Sequence, residues 1–263
     1  MYPAGSRPAG TLLRDWRARR RLSQLDVALR ADISARHLSF VETGRSRPSS
    51  GLILRLADCL DIPLRERNRL LLAAGYAPAY PQHQLGEPPL SAVATAMRHV
   101  LTGHEPWPAL AVDRHWEMVD SNAAAGLLLE GAAADLLEPP VNVLRLCLHP
   151  HGLAPRIVNL GEWHARILGG LRRQADVTGD PFLSSLHDEL RGYPGGQPAP
   201  GAQAPPPDEV VSLLRLWYGD EELAFFTTTT VFGRPRDVTV AELAIESFYP
   251  ADEATAKILR SLG

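Results

Sequence analysis

Residues 22–48 read LSQLDVALRADISARHLSFVETGRSRP, and this stretch decides the fold of the first part of the chain. Ser23 and Ser34 are favourable N-caps, each in front of a short run with helical periodicity. Asp32 stands between the two runs, where a tight turn needs a residue that tolerates the left-handed backbone conformation. Gly44 follows the second run, as is typical of a helix C-terminus. Two short helices joined by a tight turn predict a helix-turn-helix.

The residues on either side of this motif complete a predicted set of five helices. Leu12, Leu13 and Trp16 give the first helix an apolar edge that must be buried. The other four helices are expected over residues 24–31, 35–43, 49–60 and 64–74. The first part of the chain is therefore predicted to be an all-α, five-helix head.

The second helix of the motif is predicted to present a polar face to DNA. Leu38 and Val41 are three residues apart and should face the core, which places Arg36, His37 and Phe40 on the other side. In a helix-turn-helix the second helix enters the major groove, and its first turn meets the base edges. Arg36 suits bidentate bonding to guanine, and Phe40 suits a thymine methyl group. For Phe40, packing within the head or against another subunit is the alternative.

Phosphate contacts are expected from helix starts and from the arginines after the motif. The predicted DNA-binding residues are Gln24, Ser34, Ala35, Arg36, His37, Ser39, Phe40, Arg45 and Arg47. Charge favours this interpretation, because residues 1–80 hold 14 Arg and 7 acidic residues, whereas the rest holds 13 Lys or Arg and 23 acidic residues. Such asymmetry is typical of a nucleic-acid-binding head on an acidic partner domain. A helix-turn-helix that only binds protein is the alternative.

Length and composition limit the class of protein. With 263 residues, of which 45% are hydrophobic and 22% charged, the chain resembles soluble globular proteins of one large or two smaller domains. No run approaches the about 18 apolar residues of a membrane-spanning helix, so no membrane partner is expected. The first residues lack an apolar signal core. Cys59 and Cys147 stand alone, which excludes a disulfide framework and makes a reducing cytoplasm the expected location.

A proline-rich stretch, residues 79–89, is the predicted linker between a helix-turn-helix domain over residues 1–78 and a second domain over residues 90–263. Two strands, then helices, then three strands predict an α+β domain with one five-stranded antiparallel sheet and helices on one face. Residues 192–207, rich in glycine and proline, are expected to form a surface loop. Helices are expected over residues 90–102, 123–129, 143–148, 159–176, 182–190 and 252–262, and strands over 109–119 (a hairpin), 210–218, 222–232 and 243–248.

The head resembles the phage repressor/Cro-like (XRE) helix-turn-helix family. The residues that carry the resemblance, in order, are Ser23-Gln24, Ala28, Ile33-Ser34, Leu38 and 41–48. One residue departs from the pattern, because members of that family often have Gly where Asp32 stands. The resemblance implies binding to a double-stranded DNA operator.

Three stretches of the second domain resemble the MmyB-like ligand-binding domain. They are residues 108–116 with Ser121-Asn122, residues 140–150, and residues 237–250. The resemblance implies a PAS-like fold, and at least some members of that family hold a fatty acid between sheet and helices. It therefore implies a transcription regulator that senses a small molecule.

The apolar residues of the second domain are compatible with a ligand cavity, but they do not require one. Leu110, Trp116 and Phe225 belong to an apolar sheet face opposite leucine-rich helices, and a solid core is the alternative. A fatty-acid carboxylate needs a hydrogen-bond donor. Arg145, on a leucine-rich helix, is the foremost candidate, with a salt bridge to a nearby acid as its alternative. The predicted ligand-binding residues are Arg145, Asn142, His149, Asn122 and Trp116.

Three classes of function follow from these patterns. The first is a sequence-specific DNA-binding transcription regulator, expected to be a homodimer because one head makes few base contacts, whose second domain senses an apolar small molecule such as a fatty acid. The second is the same regulator with a second domain that only dimerises. An enzyme is disfavoured, since no GxSxG, GxGxxG, P-loop or HExxH motif is present. His149 and His151 have no acidic or cysteine partner beside them, so no metal and no other cofactor is expected.

Overall fold

The computed structural model describes residues 7–195 and 212–262, which form two compact units. The first unit contains the chain up to residue 83 together with residues 176–178 and 235–241, and the second contains the remainder. One boundary between the units, at residues 83 and 84, lies inside the predicted linker, whereas residues 176–178 and 235–241 of the predicted second domain belong to the first unit. Each unit has a buried hydrophobic core of its own, as expected of domains.

Five helices build the head, namely α1 Ala9–Arg19, α2 Gln24–Arg30, α3 Ala35–Glu42, α4 Ser50–Cys59 and α5 Leu64–Ala73. The Ser23 hydroxyl accepts a hydrogen bond from the Asp26 N–H at 3.1 Å, and the Ser34 hydroxyl accepts one from the His37 N–H at 3.1 Å. These side chains cap α2 and α3 as the sequence predicts. Asp32 has a φ of +51°, so the turn between the two helices uses the left-handed conformation. The predicted five-helix head is confirmed.

The core of the head draws on all five helices. Leu38 and Val41 of α3 are each 1% exposed, which confirms their predicted place in the core. Gly10 allows α1 to pack against the end of α3, because an added Cβ at this position would lie 2.1 Å from the Val41 carbonyl oxygen. The other buried apolar residues include Leu13, Trp16, Val27, Ala28, Leu52, Ile53, Leu56, Leu70 and Leu71.

From residue 84 onward the chain alternates between helices and strands. The strands are β1 Ala109–Val112, β2 Met118–Ser121, β3 Leu214–Tyr218, β4 Glu221–Val231 and β5 Ala244–Pro250. The α-helices are α6 Ser91–Gly103, α7 Gly126–Leu129, α8 Val143–Leu148, α9 Leu160–Thr178, α10 Pro181–Arg191, α11 Val238–Ala241 and α12 Glu253–Leu262. Short 3₁₀ helices cover Pro88–Leu90, Ala123–Ala125, Ala134–Leu137 and Ala154–Arg156.

The strands form one antiparallel sheet in the order β2-β1-β5-β4-β3, which confirms the predicted PAS-like α+β domain. β5 lies at the centre, between β1 and β4. In this register Glu246 of β5 faces Leu110 on one neighbouring strand and Thr229 on the other. Because side chains alternate along a strand, these three residues share one face of the sheet.

Helices cover both faces of the sheet, not one face as the sequence predicts. The larger core packs Leu110 and Phe225 against side chains of α8, α9 and α10. On the opposite face, Ala109, Ala111 and Ile245 pack against α6. The physical reason is visible in β1, whose four residues are all apolar and all buried, so each face of this strand needs a cover.

One further boundary differs from the prediction. The hairpin expected over residues 109–119 opens at Trp116, which has a φ of +65°, so β2 begins only at Met118. Its pairing with β1 is also irregular between Ala111 and Val112. The predicted loop over residues 192–207 lies outside the described residues from residue 196 onward, as does the start of the strand predicted over 210–218.

Candidate DNA-binding surface and ligand cavity

The first turns of α3 form an exposed basic and aromatic surface on the head. Arg36 and His37 are exposed, whereas Ser39 and Phe40 are half-buried. Both Arg36 and Arg45 contact the ring of Phe40, with Cζ at 5.3 Å and 6.0 Å from its centroid. Phe40 therefore contacts two exposed arginines through cation–π interactions. A thymine contact remains a prediction for the exposed part of the ring.

A buried carboxylate, absent from the sequence prediction, joins the first three helices. Glu42 is 4% exposed and accepts two hydrogen bonds from Arg17, from Nε at 2.6 Å and from Nη2 at 2.9 Å. The Gln24 amide donates a third, at 2.8 Å. Arg17 also donates to the Leu22 carbonyl at 2.9 Å, and its pKa is raised by the hydrogen bond to Glu42. The network fixes the start of α2 against α3. The spacing from Leu38 to Glu42, one turn along the buried side of α3, was the available signal.

Arg47 has a structural contact in addition to its predicted role. It is exposed, but its Nη2 donates to the Ala74 carbonyl at 2.8 Å and its Cζ lies 5.5 Å from the ring of Tyr76. The Tyr76 hydroxyl in turn donates to the Pro48 carbonyl at 3.0 Å. Arg47 thus ties the loop after α3 to the end of α5. Arg45 has no such carbonyl contact among the described residues.

The second unit contains a cavity of about 290 Å³ between the sheet and its helices. Its wall is mainly apolar and is supplied by β1, β3, β4, β5, α7, α8 and α9 and by two residues of connecting segments, Trp116 and Leu153. The apolar lining residues are Leu110, Trp116, Leu128, Leu129, Val143, Leu144, Leu146, Cys147, Leu153, Trp163, Ile167, Gly170, Leu171, Leu214 and Phe248. The remaining lining residues are Arg166, Arg173, Thr227, Thr229 and Glu246. An apolar pocket with a few convergent polar groups is typical of a small-molecule site.

The structure places only one of the five predicted ligand-binding residues on this wall. Trp116 lines the cavity, and its Nε1 donates to Gln174 at 2.8 Å. Arg145 is held by Glu189, with Nε and Nη2 at 2.7 Å and 2.8 Å from the two carboxylate oxygens. This ion pair lowers the pKa of Glu189 and, through the same hydrogen bonds, raises that of Arg145. The salt bridge that the sequence left as an alternative for Arg145 is therefore present.

The other three predicted residues form local backbone contacts away from the cavity lining. The side chain of Asn122 is buried, and its oxygen accepts hydrogen bonds from the N–H groups of Ala109 and Ala125. Its nitrogen donates to the carbonyls of Leu101 and Trp107. Asn142 caps α8 by accepting from the Arg145 N–H. The His149 ring accepts from the His151 N–H. Their predicted roles in ligand binding stay predictions, and the structure assigns them these contacts.

Two lining residues that the sequence analysis did not select are the half-buried Cys147 and the buried Trp163. Burial raises the pKa of the Cys147 thiol to about 11, so the thiol is neutral at physiological pH. Trp163 is 6% exposed; its side chain interacts with the Cys147 thiol and partly offsets the rise in that pKa, but its Nε1 makes no hydrogen bond of full geometry among the described residues. A buried indole N–H normally finds a partner. Trp163 thus offers a donor to a ligand atom.

Within residues 7–195 and 212–262, no helix is long and apolar enough to cross a membrane. The same residues contain no group of three or more His, Cys, Asp or Glu side chains that could hold a metal ion.

Comparison with known proteins identifies both parts of the chain. The family described as the MmyB-like transcription regulator ligand binding domain matches residues 93–262, and a helix-turn-helix domain family matches residues 9–70. No curated protein matches. A solved structure titled "Structure of an RNA-binding Light-Oxygen-Voltage Receptor" is 13% identical, with a TM-score of 0.30, and the alignment covers 96% of this chain and 63% of that one. Because the first match spans more than half of the chain, the protein belongs to the MmyB-like transcription regulator ligand-binding domain family and carries a helix-turn-helix domain in front of that domain.

Proposed function

We propose that this protein is a sequence-specific, DNA-binding transcription regulator of the phage repressor/Cro-like (XRE) type whose cavity takes an apolar small molecule. The observation that carries the proposal is the presence, in one chain, of a helix α3 that exposes Arg36 and His37 and a cavity with a mainly apolar wall. Both matched families are those of regulators and ligand-binding domains, and the proposal assigns the chain no catalytic role.

The DNA-binding half of the proposal rests on α3. Arg36 is exposed on the first turn and is held by Phe40, a geometry that presents a guanidinium to base edges. Ser34, Ala35, His37 and Ser39 lie on the same helix start, and Gln24 lies at the start of α2. We propose that Arg45 and Arg47 contact the backbone phosphates.

Replacement of Arg36 by alanine is expected to cost about 1–3 kcal/mol in operator binding and to relax the preference at one base pair. The physical reason is the loss of a bidentate base contact that phosphate contacts cannot replace. Binding is measured on a selected operator and on a set of its single-base variants. A loss of equal size on every sequence would instead make Arg36 a phosphate contact.

Replacement of Arg45 by alanine is expected to weaken binding on all sequences and to reduce the slope of log K against log salt by about 0.9 per lost phosphate contact. Arg98→Ala is the matched control, because Arg98 is an exposed arginine on α6 in the ligand-binding family domain. That variant removes the same charge and should leave the slope unchanged. An unchanged slope for Arg45→Ala would remove Arg45 from the interface.

The ligand half of the proposal rests on the cavity. Its volume of about 290 Å³ lies at the small end of the range for small-molecule sites. The mainly apolar wall favours an aliphatic or aromatic body, and the resemblance to the family adds a fatty acid as the class of ligand. We propose that ligand binding biases the DNA affinity of a homodimer, whose two heads reach half-sites about 34 Å apart.

Native mass spectrometry of freshly purified protein, followed by denaturing extraction, tests the ligand half. We expect a dimer whose mass exceeds that of two chains by the mass of an extractable apolar acid. The alternative, a second domain that only dimerises, predicts a dimer without added mass that also fails to bind decanoate. That combination would favour the dimerisation-only function.

A further inference from the structure

A contiguous polar cluster interrupts the apolar wall of the cavity. Arg166, on α9, donates from Nη2 to the Thr227 hydroxyl at 3.2 Å, and the Thr229 hydroxyl donates to Glu246 at 2.7 Å. Thr227 and Thr229 are two residues apart on β4 and therefore lie on the same face of the sheet. All four residues line the cavity. Arg173, two helical turns after Arg166, lines it as well.

Glu246 is unusual because it lies on the inward face of the central strand. Its neighbours two residues away along β5, Ala244 and Phe248, pack against the larger apolar core. Burial raises the pKa of Glu246, and the hydrogen bond from Thr229 and the charge of Arg166 oppose that rise. A half-buried carboxyl group with a raised pKa on the wall of a cavity is a candidate functional group.

Arg166 supplies a positive charge that no carboxylate of the described residues pairs with. Among the described residues it has no carboxylate within salt-bridge distance; its Nη1 donates to the Ser212 carbonyl at 2.7 Å and its Cζ lies 4.7 Å from the Trp163 ring. A guanidinium has five N–H donors, so these contacts leave capacity for a carboxylate. Arg145, in contrast, already holds the carboxylate of Glu189 and does not line the cavity.

We propose that Arg166, Thr227 and Glu246 form the head-group site of the cavity, where a ligand monocarboxylate accepts hydrogen bonds from Arg166 and shares one proton with Glu246. This inference rests on the proposed ligand-binding function and assigns the residues that bind the carboxylate of the ligand. Two carboxyl groups in contact cannot both stay ionised, so the pair retains one proton. The Glu246 O–H then donates to the ligand carboxylate, a short charge-assisted hydrogen bond.

Binding of the carboxylate therefore takes up a proton from solvent whenever Glu246 is ionised in the free protein. The groups that face Glu246 are Arg166 and Arg173 from α9, Thr229 from β4 and Leu110 from β1. Arg166 stabilises the ionised form of Glu246 in the free protein, whereas the bound anion stabilises the protonated form. The affinity for a monocarboxylate should thus fall as pH rises, by up to about tenfold per pH unit.

Calorimetry of the full chain with decanoate and with 1-decanol tests the inference. Titrations between pH 6 and 8, in buffers of different ionisation enthalpy, give both the affinity and the number of protons taken up. For the wild type we expect decanoate binding with an uptake of up to one proton, and 1-decanol binding with none. In Glu246→Gln the uptake and the pH dependence should disappear. In Arg166→Gln the decanoate affinity should fall at least tenfold, while that of 1-decanol changes less than twofold.

Arg145→Gln is the matched control, because it removes an arginine that an acidic side chain already holds. It should leave decanoate affinity and proton uptake unchanged, and circular dichroism checks that each variant is folded. Proton uptake that persists in Glu246→Gln would overturn the inference, because the ligand itself would then carry the proton. If decanoate affinity fell in Arg145→Gln but not in Arg166→Gln, Arg145 would be the residue that binds the carboxylate. If neither decanoate nor 1-decanol binds the wild type, the proposed ligand function itself fails.

Discussion

Replacement of Glu42 by alanine is expected to lower the free energy of unfolding of the head by about 3–5 kcal/mol. The change removes the carboxylate that joins α1, α2 and α3 and leaves Arg17, whose side chain is only 17% exposed, without its anion. The amide of Gln24 loses its acceptor at the same time. An uncompensated buried charge costs more than the ion pair contributes, which is why the expected effect is large. Urea denaturation followed by helical circular dichroism measures it.

Glu66→Ala is the matched control for this experiment. Glu66 pairs with Arg69 one turn along α5, at 2.9 Å, but the arginine is 64% exposed. Such surface pairs contribute about 0–1 kcal/mol. If Glu42→Ala destabilised the head no more than Glu66→Ala does, the hydrogen bonds of Glu42 would not contribute to the stability of the head. If the Glu42→Ala variant kept its stability but bound DNA more weakly, Glu42 would act in the DNA interface instead.

Replacement of Gly170 by leucine is expected to reduce decanoate affinity at least tenfold, about 1.4 kcal/mol. Gly170 lines the cavity, and a Cβ added there would meet nothing nearer than Arg173 Nη2, at 4.0 Å. A larger side chain therefore has room to enter space that the ligand would occupy. The replacement also adds helix propensity of up to about 1 kcal/mol in the interior of α9, so a folding defect is not expected. Calorimetric titration measures the loss.

Gly169→Leu provides the comparison, because Gly169 is the preceding residue of the same helix and does not line the cavity. An added Cβ there lies 3.5 Å from Arg173 Nη1, which is ordinary contact. This variant gains the same helix propensity and should bind decanoate like the wild type. Equal affinities in the two variants would place the ligand elsewhere in the protein.

The parts of the fold that the sequence predicted well depend on local interactions. The caps at Ser23 and Ser34 act on backbone groups three residues away, and the Asp32 turn depends on its own backbone preference. The caps and the turn can therefore be predicted from residues that are close together in the sequence. The pairing of Glu42 with Arg17 links residues 25 positions apart, so no local pattern could identify its partner.

The ligand site was harder to predict for the same reason. The choice between Arg145 and Arg166 depends on which helix face lies against the sheet, and α8 and α9 both carry arginines among leucines. Glu246 could have been noticed, since it alternates with Ala244 and Phe248 on the inward face of β5. Whether the core between sheet and helices is solid or hollow depends on packing over the whole domain, which a single sequence does not specify.

The central claim is that one chain couples a ligand in the cavity to DNA binding by α3. The most direct test selects an operator from random DNA and measures its Kd by fluorescence anisotropy with and without saturating decanoate, in the wild type and in Gly170→Leu. We predict a Kd change of about 5–150-fold in the wild type, the usual range of such coupling, and none in Gly170→Leu. An identical Kd with and without decanoate in the wild type, or the absence of any selected sequence, would contradict the account.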